Sequence, residues 1–242
     1  MKIEILYPEI CTLYGDKGNT MYLQKCLPDA EFVTTGLNEK PLFLKENIDM
    51  VYMCSMSEKS QELVLDRLMQ YKDEIAACMK DGKALFLLVG NSMELLGDYI
   101  KREDGTRVTG LGVVPGMYSV RQAPNRFNTL IKAKFNDMTL IGYTSRFAHT
   151  YGIPDDMTFC KVEIGQGSNP DTMNEGICKN RVIATYIHGP LLIQNPDFVH
   201  YLLEKLDAPM KEIPFEAAMR KAYDVKLAEY GLSLIHISEP TR

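Results

Sequence analysis

Apolar residues along the first hundred positions alternate between two textures: short solid or alternating runs, and stripes at three-four spacing. Lys2 to Leu6 predicts a strand closed by Tyr7-Pro8, and the cluster Gly15-Asp16-Lys17-Gly18-Asn19 predicts a turn. Asn19 is placed to cap a short helix from Met21 to Cys26, after which Ala30–Thr34 and Met50–Cys54 read as strands. From Ser57 or Glu58 to Met79, the residues Leu65, Leu68, Met69, Ile75, Ala76 and Met79 form one stripe that only Lys72 interrupts. That predicts a single long amphipathic helix, with Gly82 closing it. Ala84–Val89 has no polar alternation, which predicts a central parallel strand covered on both faces. It exits into Gly90-Asn91-Ser92 and a short helix over Met93–Leu96 that stops at Gly97. In doubly wound sheets, ligands bind outside the carboxyl ends of such strands.

Beyond Lys101 the texture becomes short β-like runs: Gly112–Met117, Thr129–Ala133, Leu140–Tyr143, Phe159–Ile164 and Val182–Ile187. A helix is expected from Pro196 to Leu206 with Asn195 as its cap, and a last one from Phe215 to about Ala228. No linker or repeat divides the chain, so the reading is one α/β domain over 1–231, a mostly parallel central sheet with helices on both faces and some antiparallel edge strands. The last eleven residues, Leu232–Arg242, match the translation of a transposon-type sequencing adapter. They are expected to be an artefact outside the fold, the genuine sequence ending near Gly231 before its natural stop.

Composition narrows the function classes. Of 242 residues 45% are hydrophobic, and 27 Lys and Arg against 32 Asp and Glu give a formal charge of −5. A mildly acidic chain without a dense basic run argues against non-specific nucleic-acid binding and against an anionic membrane surface. The longest apolar run, Ala84–Val89, is far short of the roughly 20 residues that span a bilayer. The opening strand lacks the long apolar region of a signal peptide, and six dispersed cysteines read as reduced thiols, which together place the chain in the cytoplasm.

Two segments carry a resemblance. Leu13-Tyr14-Gly15-Asp16-Lys17-Gly18-Asn19 resembles a Leu-Tyr-x-Asp-x-Gly-Asn motif, and Asn174-Glu175-Gly176 with Thr185-Tyr186-Ile187-His188-Gly189-Pro190-Leu191-Leu192 resembles a Glu-Gly and Gly-Thr-Tyr-Leu-His-Gly-Pro-Leu-Leu pair. Both belong to class I glutamine amidotransferase domains of the cobyric acid synthase type, and most nearly to the glutaminase-like subunits of lipid II isoglutaminyl synthase. The resemblance, from about Tyr7 to Leu206, implies a flavodoxin-like three-layer fold. Active members of that family end the central strand in Cys-Gly-Gly-Tyr-Gln-Leu-Leu-Gly, where the Cys attacks the glutamine side-chain amide. Here the same positions read Gly90-Asn91-Ser92-Met93-Glu94-Leu95-Leu96-Gly97, so Gly90 stands where the nucleophile belongs. Glycine has no side chain with which to form a thioester. Two further stretches depart: the family's glycine-rich loop becomes Met53–Gln61, keeping only the terminal Gln, and its Glu-Asn-His stretch becomes Thr144-Ser145-Arg146.

The resemblance gives His188 the general-base position, and the plainer reading is a histidine that hydrogen-bonds across the cleft. Cys54, the one thiol at the end of a predicted parallel strand, is either a relocated nucleophile or a buried structural thiol. Cys11, Cys26, Cys78, Cys160 and Cys178 read as structural. Asn91, Ser92, Glu94 and Arg146 are candidate ligand-binding residues, the first two offering a helix N-terminus or simply capping it. Arg146 and Arg121 are expected in loops, His149 in a polar loop and His200 on a helix. The function that follows is a glutaminase-inactive amidotransferase-like subunit binding a small carboxylated ligand or glutamine and partnering a Mur-ligase-like synthetase in cell-wall precursor amidation. Neither cofactor nor metal is expected in this chain, ATP and Mg belonging to the ligase. The alternative is an active glutaminase, converting L-glutamine to glutamate and ammonia, of a lipid II isoglutaminyl synthase or cobyric acid synthase-like system, with Cys54 as the candidate for a relocated nucleophile.

Overall fold

In the computed structural model the described residues are 1–237, with side chains described as far as Tyr230. The first half is built as the periodicity dictates. Strand β1 (Lys2–Leu6) leads through helix α1 (Lys17–Cys26) to β2 (Glu31–Thr35), and β3 (Met50–Met53) leads through α2 (Glu58–Leu68) and α3 (Lys72–Asp81) to β4 (Leu85–Val89). Every residue of β4 is buried, as an unalternating apolar run requires of a central strand.

The second half supplies β5 (Tyr99–Lys101), β6 (Arg107–Thr109), β7 (Tyr118–Arg121), β8 (Phe127–Phe135), β9 (Met138–Arg146), β10 (Ala148–Tyr151), β11 (Thr158–Ile164), β12 (Asn174–Lys179) and β13 (Val182–Thr185). Helices α4 (Leu191–Gln194), α5 (Pro196–Lys205) and α6 (Glu216–Ile237) follow. The last covers part of the suspected adapter segment, of which Ser238–Arg242 lie outside the described residues.

Nine strands make one sheet in the order β2-β1-β3-β4-β13-β12-β11-β8-β9. The first five run parallel and the last four antiparallel, so the sheet is parallel in its functional half and mixed overall. A second sheet has the order β10-β7-β5-β6. The chain moves outward from β1 to β2 but the opposite way from β3 to β4. Right-handed crossovers therefore place α1 on one face and the α2–α3 pair on the other. Helix α4 packs against α1, α5 and α6, which assigns those helices to the α1 face.

Several expectations need correction. The long helix is broken by a 3-10 turn at Met69–Tyr71. A straight helix would put Lys72 on the buried face, four residues after Leu68 and three before Ile75. The turn re-phases the stripe so that Ile75 and Met79 are buried while Lys72 is not. Residues 112–117 are a loop, apolar because it docks on the turn after β4: Leu111 and Val114 donate backbone N–H groups to Leu95 and Leu96. Of the two expected asparagine caps, Asn195 stands at the N-cap of α5 but makes no side-chain capping bond, and Asn19 is not a cap. Asn19 lies inside α1, and Asn195 uses its amide to pair with both backbone groups of Ile141 at 2.8 Å. Gly82, by contrast, closes α3 in the left-handed conformation as expected, and Ser57 caps α2 by accepting from the Ser60 N–H.

Candidate functional site

The carboxyl ends of β3, β4 and β13 lie side by side, since Met53 pairs with Leu88 and Val89 with Thr185. Their exits deliver Ser55, Gly90 and His188 to one point, where the loop before α1 adds Asp16. All four are buried, Asp16 fully so. Ser55 Oγ donates to Asp16 Oδ2 at 2.9 Å, and His188 Nδ1 lies 3.1 Å from both of those oxygens. Asp16 Oδ1 is buried without a partner.

This cluster has the residue types of a serine triad but not its geometry. In a working triad the hydroxyl and the carboxylate meet opposite nitrogens of the imidazole, so that one holds the ring while the other loses its proton to it. Here both meet Nδ1, and the Ser55 hydroxyl proton is directed to the carboxylate. The ring is fixed by packing as well, between Tyr14 at 4.6 Å and Tyr143 at 5.7 Å, while the His188 backbone pairs with Tyr143 in both directions.

Gly90 has φ +72, the left-handed backbone of a sharp strand exit, and it opens a 3-10 turn over Gly90–Leu96 rather than the expected helix. A Cβ added at Gly90 would stand 2.5 Å from His188 Cε1 and 2.9 Å from Ser55 Cβ, and closer still to Ser55 Oγ. Position 90 therefore has neither a side chain nor room for one.

The candidate residues divide. Asn91 clamps the loop after β3, accepting from the Met56 N–H at 3.0 Å and donating to the Met56 carbonyl at 2.8 Å. Ser92 Oγ donates to Val89 O, so neither side chain caps the turn. Glu94 is buried and accepts from Gln61 Nε2 and the Tyr186 hydroxyl, both at 2.9 Å; burial pushes its carboxyl above the usual range, against those hydrogen bonds. Arg146 and Arg121 are not loop residues but end β9 and β7, both buried. Arg146 lies over the Tyr186 ring and donates to Gly167 O, while its Nε and Nη1 have no partner. Arg121 bridges Glu62 at 2.6 Å and Gln61 at 2.9 Å.

Cys54 turns away from this cluster. Its thiol donates to Cys11 O at 2.7 Å, faces a cavity of about 240 Å³ that Tyr52 and Lys17 also line, and is pushed well up by burial. His149 is buried on β10 rather than set in a loop, and His200 sits on α5 beside Glu216 as a helix position allows. Sequence reasoning missed Ser55 and gave Asp16 no role. Ser55 carries no sequence signal, whereas Asp16 lay within a quoted motif.

That motif positions the site. A Cβ at Gly18 would meet Pro190 Cγ at 2.6 Å, so glycine lets the segment after His188 close on α1. Asn19 then accepts from the Leu192 N–H and donates to the Tyr52 hydroxyl, both at 2.9 Å. From the other side, Glu175 accepts from the Tyr186 N–H and the Thr185 hydroxyl at 2.7 Å, fixing the strand exit that carries His188.

A parallel sheet with a sharp left-handed turn at its central strand exit, faced by a histidine from the adjacent strand, is the class I glutamine amidotransferase architecture. Residues 2–196 match the CobB/CobQ-like glutamine amidotransferase domain, and the chain belongs to that family. It is 26% identical over 236 residues to the GatD subunit of lipid II isoglutaminyl synthase (glutamine-hydrolyzing) from Streptococcus pneumoniae, covering 95% of this chain and 85% of that protein. To the subunit of the same name from Staphylococcus aureus it is 28% identical over 207 residues, covering 84% and 83%. A solved glutamine amidotransferase from Thermotoga maritima shares the fold with a TM-score of 0.52 at 14% identity, covering 96% of this chain and 94% of that one. Among the described residues no helix is long and apolar enough to cross a membrane.

Proposed function

We propose that this chain is a glutaminase-inactive amidotransferase subunit of the GatD type, a cytoplasmic binding module for a Mur-ligase-like synthetase that amidates a cell-wall precursor. One observation carries the reading: Gly90, at the position of the family's nucleophile, has no thiol and no space for one. Amidotransferase glutaminases join a cysteine sulfur to the side-chain amide carbon of glutamine, Cδ, release ammonia with a proton from the histidine, and hydrolyse the thioester with water. Without the sulfur the first bond has no donor. Its similarity to subunits of lipid II isoglutaminyl synthase supports a synthetase partner acting on a cell-wall precursor, and ATP with its Mg belongs to that ligase rather than to this chain. Ammonia from solution or from another subunit then supplies the nitrogen. A small carboxylate or glutamine is the ligand this reading calls for. Among Asn91, Ser92, Glu94 and Arg146, only Arg146 keeps unpartnered donors, its Nε and Nη1, since the other three are bonded within the fold.

A glutamate-release assay on the purified chain, alone and with a Mur-ligase-like synthetase from the same host, tests this. No turnover above background is expected for the parent, for Cys54→Ala or for His188→Ala. Glutamine turnover by the parent that vanishes in C54A would overturn the reading and make Cys54 the nucleophile. Its buried thiol, hydrogen-bonded away from His188, speaks against that. Co-purification of the chain with the ligase is expected, and its recovery alone under conditions that keep an amidotransferase pair together would remove the partner assignment.

A further inference from the structure

We propose that Ser55 is the second, coupled half of the site's inactivation: its side chain occupies the volume of the missing nucleophile and takes over that group's contact with His188. This rests on reading position 90 as the nucleophile position, and it goes further, because it says that restoring a thiol at 90 alone does not restore a site. The Ser55 Oγ is the nearest atom to a Cβ added at Gly90, with Ser55 Cβ at 2.9 Å and His188 Cε1 at 2.5 Å. Real Cβ contacts do not approach so closely, and a hydroxyl that could rotate aside would relieve only the first of the three.

The surrounding bonds prevent the loop from moving as a body. Ser55 Oγ is tied to Asp16 Oδ2 at 2.9 Å and its carbonyl accepts from the Leu13 N–H at 3.2 Å. The next residue, Met56, has both backbone groups held by Asn91, one residue past the glycine itself. On the other side Cys54 is bonded to Cys11 O, and Ser92 Oγ lies 3.3 Å from Met53 O. The turn at 90–92 and the loop at 53–56 are thus laced together, and the gap between them is sized for glycine opposite serine. Interiors packed this closely accept an added side chain only at a cost in stability. His188 is also held at Nδ1 by both Asp16 and Ser55, so removing Ser55 frees the ring from one of its two side-chain hydrogen-bond partners and gives Cε1 more room to yield between Tyr14 and Tyr143.

A double-mutant cycle on the full chain tests this without depending on activity. Gly90→Cys is made in the parent, in Ser55→Ala and in Ser55→Gly, and each thermal midpoint is compared with that of its own background. The strain of placing a non-glycine residue at φ +72 is common to all three backgrounds and cancels. Expected is a loss of about 5 °C in the parent, about half that with S55A, where the clashing Cβ remains, and about 2 °C or less with S55G. Failure of G90C to fold in the parent but not in S55G would support the proposal equally. Equal losses in all backgrounds, or failure to fold in all of them, would overturn it by placing the obstruction in the backbone or in His188. Peptide mapping after iodoacetamide, in which the thiolate displaces iodide, gives a second readout. The introduced thiol should label faster in S55G/G90C than in G90C, and equal labelling would count against Ser55 as the occupant. Glutamine turnover by the parent would remove the inactive-subunit reading while leaving this cycle interpretable.

Discussion

Acidification should unmask His149. The imidazole is buried on β10, its ring centroid 4.0 Å from that of Phe127, with Nδ1 unpartnered. Burial first and the Arg146 guanidinium second lower its pKa from 6.5 to about 4, with Asp171 opposing them. The folded state thus binds this proton less readily than the unfolded chain. The stability contributed by neutral His149 is complete above pH 6.5 and is lost as pH falls towards 4. Between pH 7.5 and 5 the linkage relation gives a loss of about 2 kcal/mol, or about 4–8 °C in the midpoint of a chain this long. Glu94 and Glu175 act in the opposite sense, since burial raises both carboxyls and makes folding favour their protonated forms. Those terms are common to parent and variant, so the observable is a difference. Thermal midpoints of the parent and His149→Phe, which keeps a ring against Phe127, are recorded every half pH unit from 7.5 to 5. The parent should fall relative to the variant by about 4–8 °C across that window. A flat difference curve would refute the assignment of the burial cost to His149.

Two other expectations are simpler. Glu94→Leu removes the acceptor of Gln61 Nε2 and Tyr186 Oη in a fully enclosed position and should cost about 2–4 kcal/mol in a urea titration, whereas Glu94→Gln should cost less than half as much. Ending the chain after Gly231 should leave the thermal midpoint within about 2 °C of that of the full chain, as the adapter match of Leu232–Arg242 requires; a loss of several degrees would make the segment part of the fold.

The parallel half of the sheet was legible because its signal is local. An unalternating run such as Ala84–Val89 has few structures open to it, and the stripes of α2 and α3 are periodic on either side of their break. Strands β5, β6, β7, β10 and β12 were not legible, because they are short and draw their stability from partners remote in sequence. Asn174–Lys179 begins with a polar pair whose Glu175 is buried only because Thr185 and Tyr186 come to it. The buried arginines show the same limit. Nothing near Arg121 in sequence announces that Glu62 and Gln61 will meet it, so a loop on the surface was the natural expectation. At the site, Gly90 and His188 were read from a motif register, while Ser55 was invisible because its importance lies in a distance to a residue thirty-five positions away.

The motifs that marked the family therefore report on framework more than on chemistry. Gly18 admits Pro190, Asn19 joins Leu192 to Tyr52, and Glu175 holds Thr185 and Tyr186. Each is fully used in holding the strand exits and would be needed to keep the cleft in shape whether or not a thiol sat within it. His188 is held in the same way, by Asp16, by two tyrosine rings and by its own backbone pairing with Tyr143. Its retention consequently says little about catalysis, because the packing of three segments depends on it. The chain departs from the family pattern at position 90, in the loop after β3 and at Thr144–Arg146, and the substituted side chains there are themselves tied in, Ser55 to Asp16 and Arg146 to Gly167. The framework residues thus keep the family pattern, while the departures gather at and beside the strand exits that meet at position 90.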